Sequence, residues 1–242
     1  MGEKIRGIVI NVRKYNDRNC IVTLYTRERG RVSFISAMGN GKASNSRRAR
    51  LQPLSLIETE VNFKAGSELQ RLGAVNNPEM WNDLYFHPVK IAIALFVSEF
   101  LYKLLNDTIP DGRLFDFLEK SIRYLDRMKS GISNFYIPFL VSMLTFSGIQ
   151  PDTSQSGQGR VFEFASGSFV PRQEAKGTFL KDEDGEAVKF VSRINFNNMK
   201  CLRLNGANRR QILYGLLNYY SYHFPGLGNM KSPDVLRETF DQ

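Results

Sequence analysis

Twelve Lys and Arg side chains lie within the first 50 residues of this 242-residue chain: Lys4, Arg6, Arg13, Lys14, Arg18, Arg27, Arg29, Arg31, Lys42, Arg47, Arg48 and Arg50. Only three acids accompany them, Glu3, Asp17 and Glu28. The remaining residues hold 21 bases and 21 acids, so the whole formal charge of +9 sits in the opening segment. Fixed cations at this density neutralise phosphates and release counterions, and the partner they imply is a polyanion. Arg47, Arg48 and Arg50 crowd like charges with no acid between them and repel one another until an anion arrives. We single out Arg13, Lys14, Arg27, Arg29, Arg31, Lys42, Arg47, Arg48 and Arg50 as candidate phosphate contacts. Tyr15, Tyr25 and Phe34 are the candidate platforms for stacked bases.

Chemistry beyond binding finds no support in the residues. Gly39-x-Gly41-Lys42 is far too short for a P-loop, and HExxH, GxSxG and GxGxxG are absent. His87 and His223 stand among apolar or aromatic neighbours and read as structural. The acids Asp182, Glu183, Asp184 and Glu186 are the one nuclease-like carboxylate cluster, and their spacing does not fit an EF-hand loop. Cys20 and Cys201 form no CxxC, so neither a zinc knuckle nor a disulfide framework is expected. The first residues do not resemble a signal peptide, and the longest apolar run, Ile91–Val97, is about a third of a membrane span. We expect a cytoplasmic, thiol-reduced binding protein with no catalytic residue, metal, cofactor or membrane partner.

The elements that must carry the cations are short strands. Residues 5–15, 20–26, 31–37, 54–63 and 68–75 alternate apolar and polar, and Arg29-Gly30 supplies a tight turn. Strict alternation puts Ile8, Ile10 and Val12 on one face of the first strand, and Val22 and Leu24 on one face of the second. Residues 39–50 read as a basic loop. Five strands in this span suit an OB-type barrel. After Asn76-Asn77-Pro78 the period becomes helical: Lys90–Leu105, Asp111–Lys129 with Asp111 as cap, and Phe135–Phe146. Hairpins are expected at 162–170, and at 178–190 around the Asp184-Gly185 turn. A helix at Arg209–Phe224 and a short one from Ser232-Pro233 close the chain. The expected fold is α+β: a five-stranded OB-type barrel over 1–77, then a helical domain over 78–242 with a β-hairpin insertion at about 150–195.

Three stretches carry a resemblance. They are Gly7-Ile8-Val9 with Tyr15, the run from Ile21 through Thr26-Arg27-Glu28-Arg29-Gly30-Arg31, and Leu51-Gln52-Pro53-Leu54. In this order they resemble the N-terminal barrel of the RecO family of bacterial recombination mediators. Residues 144–151, Leu-Thr-Phe-Ser-Gly-Ile-Gln-Pro, are similar to that family's helical region. The resemblance implies an OB domain that binds single- and double-stranded DNA and promotes strand annealing without turnover. It implies RecR and the acidic, apolar-ended C-terminal tail of the single-strand-binding protein SSB as partners, RecA as an indirect one, and a nucleoid-associated location. Arg123 with Arg127, or Arg209 with Arg210, are the candidate cations beside a slot for that tail. One departure stands out: many relatives carry a four-cysteine zinc ribbon, whereas residues 151–191 here contain no cysteine. We therefore expect a ribbon-like insertion without zinc. The rival readings are an RNA-binding OB protein, a nuclease and a protein-binding adaptor without DNA activity.

Overall fold

The structure, a computed structural model, describes residues 2–38, 41–106, 109–180 and 182–240, with the backbone alone at 43 and 182–186. It divides into two compact units, Met1–Met128 with Lys231–Leu236 and Lys129–Met230 with Arg237–Gln242. The first unit thus holds the strands together with the two helices that follow residue 77.

In the first unit β1 (Glu3–Lys14), β2 (Asn19–Thr26), β3 (Gly30–Ala37), β4 (Leu56–Val61), β5 (Leu69–Arg71) and β6 (Val75–Asn76) form one sheet in the order β5-β3-β2-β1-β4-β6. All pairings are antiparallel except β3 with β5. The sheet curls because β1 serves two neighbours. Glu3–Ile8 pair with β4, and Gly7–Lys14 pair with β2. The result is an OB-like half-barrel.

A bulge between Val9 and Asn11 corrects the strict alternation expected for β1. The extra residue flips the register. Val12 lies opposite Val22, on the same face as Val9 and Ile5, while Arg13 lies opposite Ile21 on the other. Val22 and Leu24 do share a face, as their alternation predicts. That inner face packs Ile5, Val9, Val22, Leu24, Phe34, Ile57 and Val61 with Leu51, Leu72 and Val75.

The outer face is covered in part by α2 (Pro88–Leu104) and α3 (Gly112–Arg127). Ser98 Oγ donates to the Ile10 carbonyl at 2.8 Å, and Tyr25 stacks on Phe115 with ring centroids 6.5 Å apart. Burial on both faces explains why β2 is buried from Cys20 to Thr26. Asp111 caps α3 as expected, accepting from the backbone N–H of Arg113 at 2.8 Å and Leu114 at 3.4 Å.

Residues 42–50, expected as loop, form helix α1 (Lys42–Arg50). Lys, Ala and Arg are good helix formers, and Arg47, Arg48 and Arg50 fall in its last turn, where cations meet the negative end of the helix dipole. Leu51, buried in the core, donates its N–H to the carbonyls of Arg47 and Arg48 and anchors the C-terminus. Leu54 follows at φ 63°, a left-handed conformation uncommon outside glycine. Its N–H reaches the Val9 carbonyl at 2.8 Å, and its own carbonyl accepts from the Trp81 indole at 3.1 Å, so packing on both sides holds it there.

The second unit contains α4 (Tyr136–Phe146), β7 (Arg160–Glu163), β8 (Ser168–Pro171), β9 (Phe179–Leu180), α5 (Asp182–Val191) and α6 (Gly206–His223), and the chain ends in α7 (Ser232–Phe240). β7 and β8 make the first expected hairpin. The second expected hairpin does not form. β9 pairs with β7 instead, and residues 182–191 are helical. Three acids at the start of that segment and Lys189 at its end match the helix dipole, which outweighs the Asp-Gly turn signal. The side chains of the 182–186 acids, the cation-site alternative, lie outside the described residues.

Candidate nucleic-acid interface

The cations of the first unit separate into two sets. Arg27, Arg29 and Arg31, at the β2–β3 turn and the start of β3, fasten the fold. Arg27 forms an ion pair with Asp116 on α3 and lies over the Phe115 ring. Arg29 donates to Glu3 at 2.6 Å, with its guanidinium 4.0 Å from the Phe63 ring centroid. Arg31 donates to the Tyr102 carbonyl at 3.0 Å and to Asn106 Oδ1 at 2.7 Å, and stacks 4.4 Å from the Tyr102 ring. Hydrogen bonds from Arg27 and Arg29 hold the Asp116 and Glu3 carboxyls below their ordinary range. Arg6 is engaged in the same way, 2.7 Å from Glu119.

The second set occupies the other end of the sheet, at the β1–β2 hairpin tip and on α1. Arg13, Arg18, Lys42 and Arg48 are exposed, and among the described residues none has an acidic partner. Lys14 meets Asp17 at 2.7 Å, but both side chains are largely in solvent, where such a pair is weak. Arg47 donates to Ser36 Oγ at 3.0 Å and to the Gly73 carbonyl at 3.1 Å, and Arg50 donates to the Val75 carbonyl at 2.7 Å. These acceptors are neutral. They orient the two guanidiniums without cancelling their charge.

Two hollows open here, and Asn19 lines both. One, of about 620 Å³, lies between the hairpin and α1 and is lined by Lys14, Asn16, Asp17, Arg48 and Gln52. The other, of about 590 Å³, is lined by Ser44, Arg47 and Arg71 over Ile35 and Ala37. Cys20 borders the first. Burial pushes its thiol upward against the opposing pull of Arg47 and Arg48, which keeps it protonated and unreactive. Arg18 and Arg71 belong to this surface, although charge clustering alone did not single them out. Arg71 stands by itself in a short strand, and only the parallel β3–β5 pairing brings it beside Ile35.

The aromatic candidates divide just as sharply. Tyr15 is 59% exposed at the hairpin tip. Phe34 is 0% exposed, opposite Val22 on the inner face, and is a core residue rather than a stacking platform. Tyr25 is also 0% exposed, covered by Phe115, with its hydroxyl 3.4 Å from the Asp111 carbonyl.

Comparison with known proteins sets this geometry in a family. Residues 1–77 match the family model described as Recombination protein O N terminal, and residues 86–233 match Recombination protein O C terminal. The chain belongs to the RecO family. It is 35% identical over 240 residues to the DNA repair protein RecO of Phocaeicola vulgatus, covering 99% of this chain and all of that protein. Identity is also 35% over 240 residues to the RecO of Porphyromonas gingivalis, 98% of each chain, and 31% over 242 residues to that of Bacteroides fragilis, the full length of both.

The four remaining candidate cations of this RecO chain, Arg123, Arg127, Arg209 and Arg210, differ in how far they are engaged. Arg123 is occupied, donating bidentately to Glu79 (2.7–3.1 Å) and to Glu119 at 2.7 Å. Arg127 is exposed one turn further along α3. In the second unit Arg209 donates to the Leu204 carbonyl at 2.6 Å, and Arg210 is half-buried. Beside them α6 borders an apolar groove of about 560 Å³, whose lining includes Phe162, Phe164, Leu180, Phe190, Ile212 and Tyr219. No three His, Cys, Asp or Glu side chains converge among the described residues. In the small sheet of this RecO chain, Phe162 and Phe164 pack against Tyr219 at 5.5 and 5.3 Å, and Phe162 against Phe169 at 5.4 Å.

Proposed function

We propose that this chain is a DNA-binding recombination mediator in DNA repair, working without catalytic turnover in the cytoplasm at the nucleoid. In this reading residues 1–77 bind single- and double-stranded DNA, and residues 78–242 serve partners. The chain anneals complementary strands and, with RecR, helps load RecA onto strands coated with SSB. The observation that supports it most is the segregation of charge. Arg27 and Arg29 are cancelled by acids at one end of the sheet, while Arg13, Arg18, Lys42, Arg47, Arg48 and Arg50 keep their charge at the other.

The mechanism follows from what such cations grip. They hold phosphates and leave base edges free to pair. Cancelling the repulsion between two backbones then favours annealing. Tyr15 adds a stacking surface for an unpaired base. The apolar end of the SSB tail enters the groove beside α6, with Arg210 near its carboxylates. Arg127 on α3 is the competing location, and a fluorescent tail peptide titrated against Arg127→Glu and Arg210→Glu separates the two.

The deciding experiment is annealing of complementary strands coated with SSB, with and without the protein. Faster annealing that fades as salt rises supports the reading. Unchanged annealing together with no gel shift of DNA at low salt defeats it.

A further inference from the structure

The hollow between Arg47 and Arg71 has the properties of a built anion site. Its rim carries two guanidiniums, from α1 and β5, with the Ser44 hydroxyl and the Asn19 amide, and no acid lines it. Arg47 is held by its two hydrogen bonds to Ser36 and Gly73, so the rest of its fork of donors is already oriented. Arg71 is exposed on an edge strand, directly opposite Ile35 in the β3–β5 ladder. One strand spacing, about 4.8 Å, separates its backbone from that floor residue. Ile35 and the exposed Ala37 give the floor an apolar surface. The same cross-strand row continues through Ile21 to Arg13, which ends it about 14 Å away across three strand spacings.

We propose that this hollow is a nucleotide subsite for single-stranded nucleic acid, with a phosphodiester between Arg47 and Arg71 and the attached base laid on Ile35 and Ala37. The inference rests on the DNA-binding reading and adds to it a location and a strand preference. A duplex hides its base faces and offers this floor nothing, whereas an unpaired base covers it. α2 and α3 cover other parts of the outer face, so the strand is confined to this open end.

The test uses the full chain with a fluorescent dT homopolymer and a duplex of equal length, in Arg71→Glu, Arg71→Ala, Arg71→Lys and, as a charge control in the second unit, Arg203→Glu. Arg71→Glu is expected to lose about tenfold in single-strand affinity and about 0.7 of the log–log salt slope. Duplex binding should fall less, Arg71→Lys should retain most of the affinity, and Arg203→Glu should change nothing. Thermal melting checks that the variants fold, and Arg71→Ala takes the place of the reversal if that one does not. Wild-type affinity and slope in both Arg71→Glu and Arg71→Ala overturn the subsite, as does an equal loss for single strand and duplex, while the DNA-binding reading stands. A wild-type protein that binds neither probe at low salt overturns both.

Discussion

Lys90 Nζ lies 2.7 Å from Asp83 Oδ2, and the lysine side chain is completely buried. The same ammonium donates to the Asp126 carbonyl at 2.7 Å. The Asp126 carboxylate in turn accepts the backbone N–H groups of Asn82, Asp83 and Leu84 at 2.8–3.2 Å. This knot ties the segment entering α2 to the end of α3. The two ends of the ion pair are unequal, since Asp83 keeps access to water and Lys90 has none. Asp83→Asn should therefore cost about 3–5 kcal/mol by leaving a buried charge unpaired, and Lys90→Met only about 1–3 kcal/mol. The double variant should recover part of the Asp83→Asn loss. Urea unfolding of the three proteins measures the asymmetry, and equal costs for the two single variants would contradict it.

What could be read without the structure was what lies close along the chain. The inner face of β2, the Asp111 cap and the β7–β8 hairpin follow from alternation and local hydrogen bonding. The bulge at Val9–Asn11 left no mark in the sequence, and it moved Val12 to the opposite face. Helix α1 was obscured because a polar basic run has no apolar stripe. It is held by Leu51 and by Arg47 and Arg50 reaching carbonyls some 25 residues away. The charge excess was visible, but its division was not. Arg27 finds Asp116 and Arg6 finds Glu119, each about a hundred residues distant, and no spacing announces such pairs. Lys90, by contrast, meets one partner close in the chain, Asp83, and its burial depends on the Asp126 carbonyl being brought to it as well.

The Arg123 network makes stability depend on acid. The hydrogen bonds from Arg123 hold the Glu79 carboxyl below its ordinary value of 4.5, against the upward push of burial. The folded protein thus binds fewer protons than the unfolded chain in this range. The contribution is complete above pH 4.5 and is lost as the pH falls through the lowered folded value. Arg123→Ala should lower the melting temperature by about 2–4 °C at neutral pH. The gap to wild type should close as the pH drops below the carboxylate range. A gap that widens on acidification would refute the assignment.

The two sets of cations should respond oppositely to charge reversal. Arg13→Glu and Arg48→Glu touch no fastening contact. Each should weaken oligonucleotide binding and flatten the single-strand salt slope, expected at about −3.5 for roughly five phosphates, by about 0.7. Their melting temperatures should stay near wild type, as for other exposed substitutions. Arg29→Glu sets a carboxylate against Glu3 and removes the stack on Phe63, so it should melt earlier while the folded protein keeps its slope. Reversing Arg47, Arg48 and Arg50 together would mix the two effects, because Arg47 and Arg50 also hold carbonyls of the strand region. Salt titrations paired with melting curves on the single variants keep stability and binding apart.

Tyr15 and Phe34 offer the sharpest separation of surface from core, because both are aromatic residues on the basic half of the sheet. Tyr15 has little to lose structurally. It sits at the hairpin tip, where its N–H bonds the Asn19 carbonyl at 3.1 Å through the backbone alone, and its ring lies mostly in solvent. Tyr15→Ala should leave the melting temperature unchanged and cost about 1–3 kcal/mol in binding single strands, with a smaller effect on duplex, whose bases are already stacked. Phe34 is fully enclosed between Val22 and the Phe63 ring, with centroids 6.5 Å apart. Phe34→Ala should cost about 3–5 kcal/mol of stability through the cavity it leaves. Whatever fraction stays folded should bind oligonucleotide with the wild-type salt slope, since no phosphate contact is removed. Titrating both variants below their melting temperatures decides the matter. A Phe34→Ala protein that is stable but has lost single-strand affinity would mean that the sheet opens on binding and that its inner face, not its outer end, meets the bases.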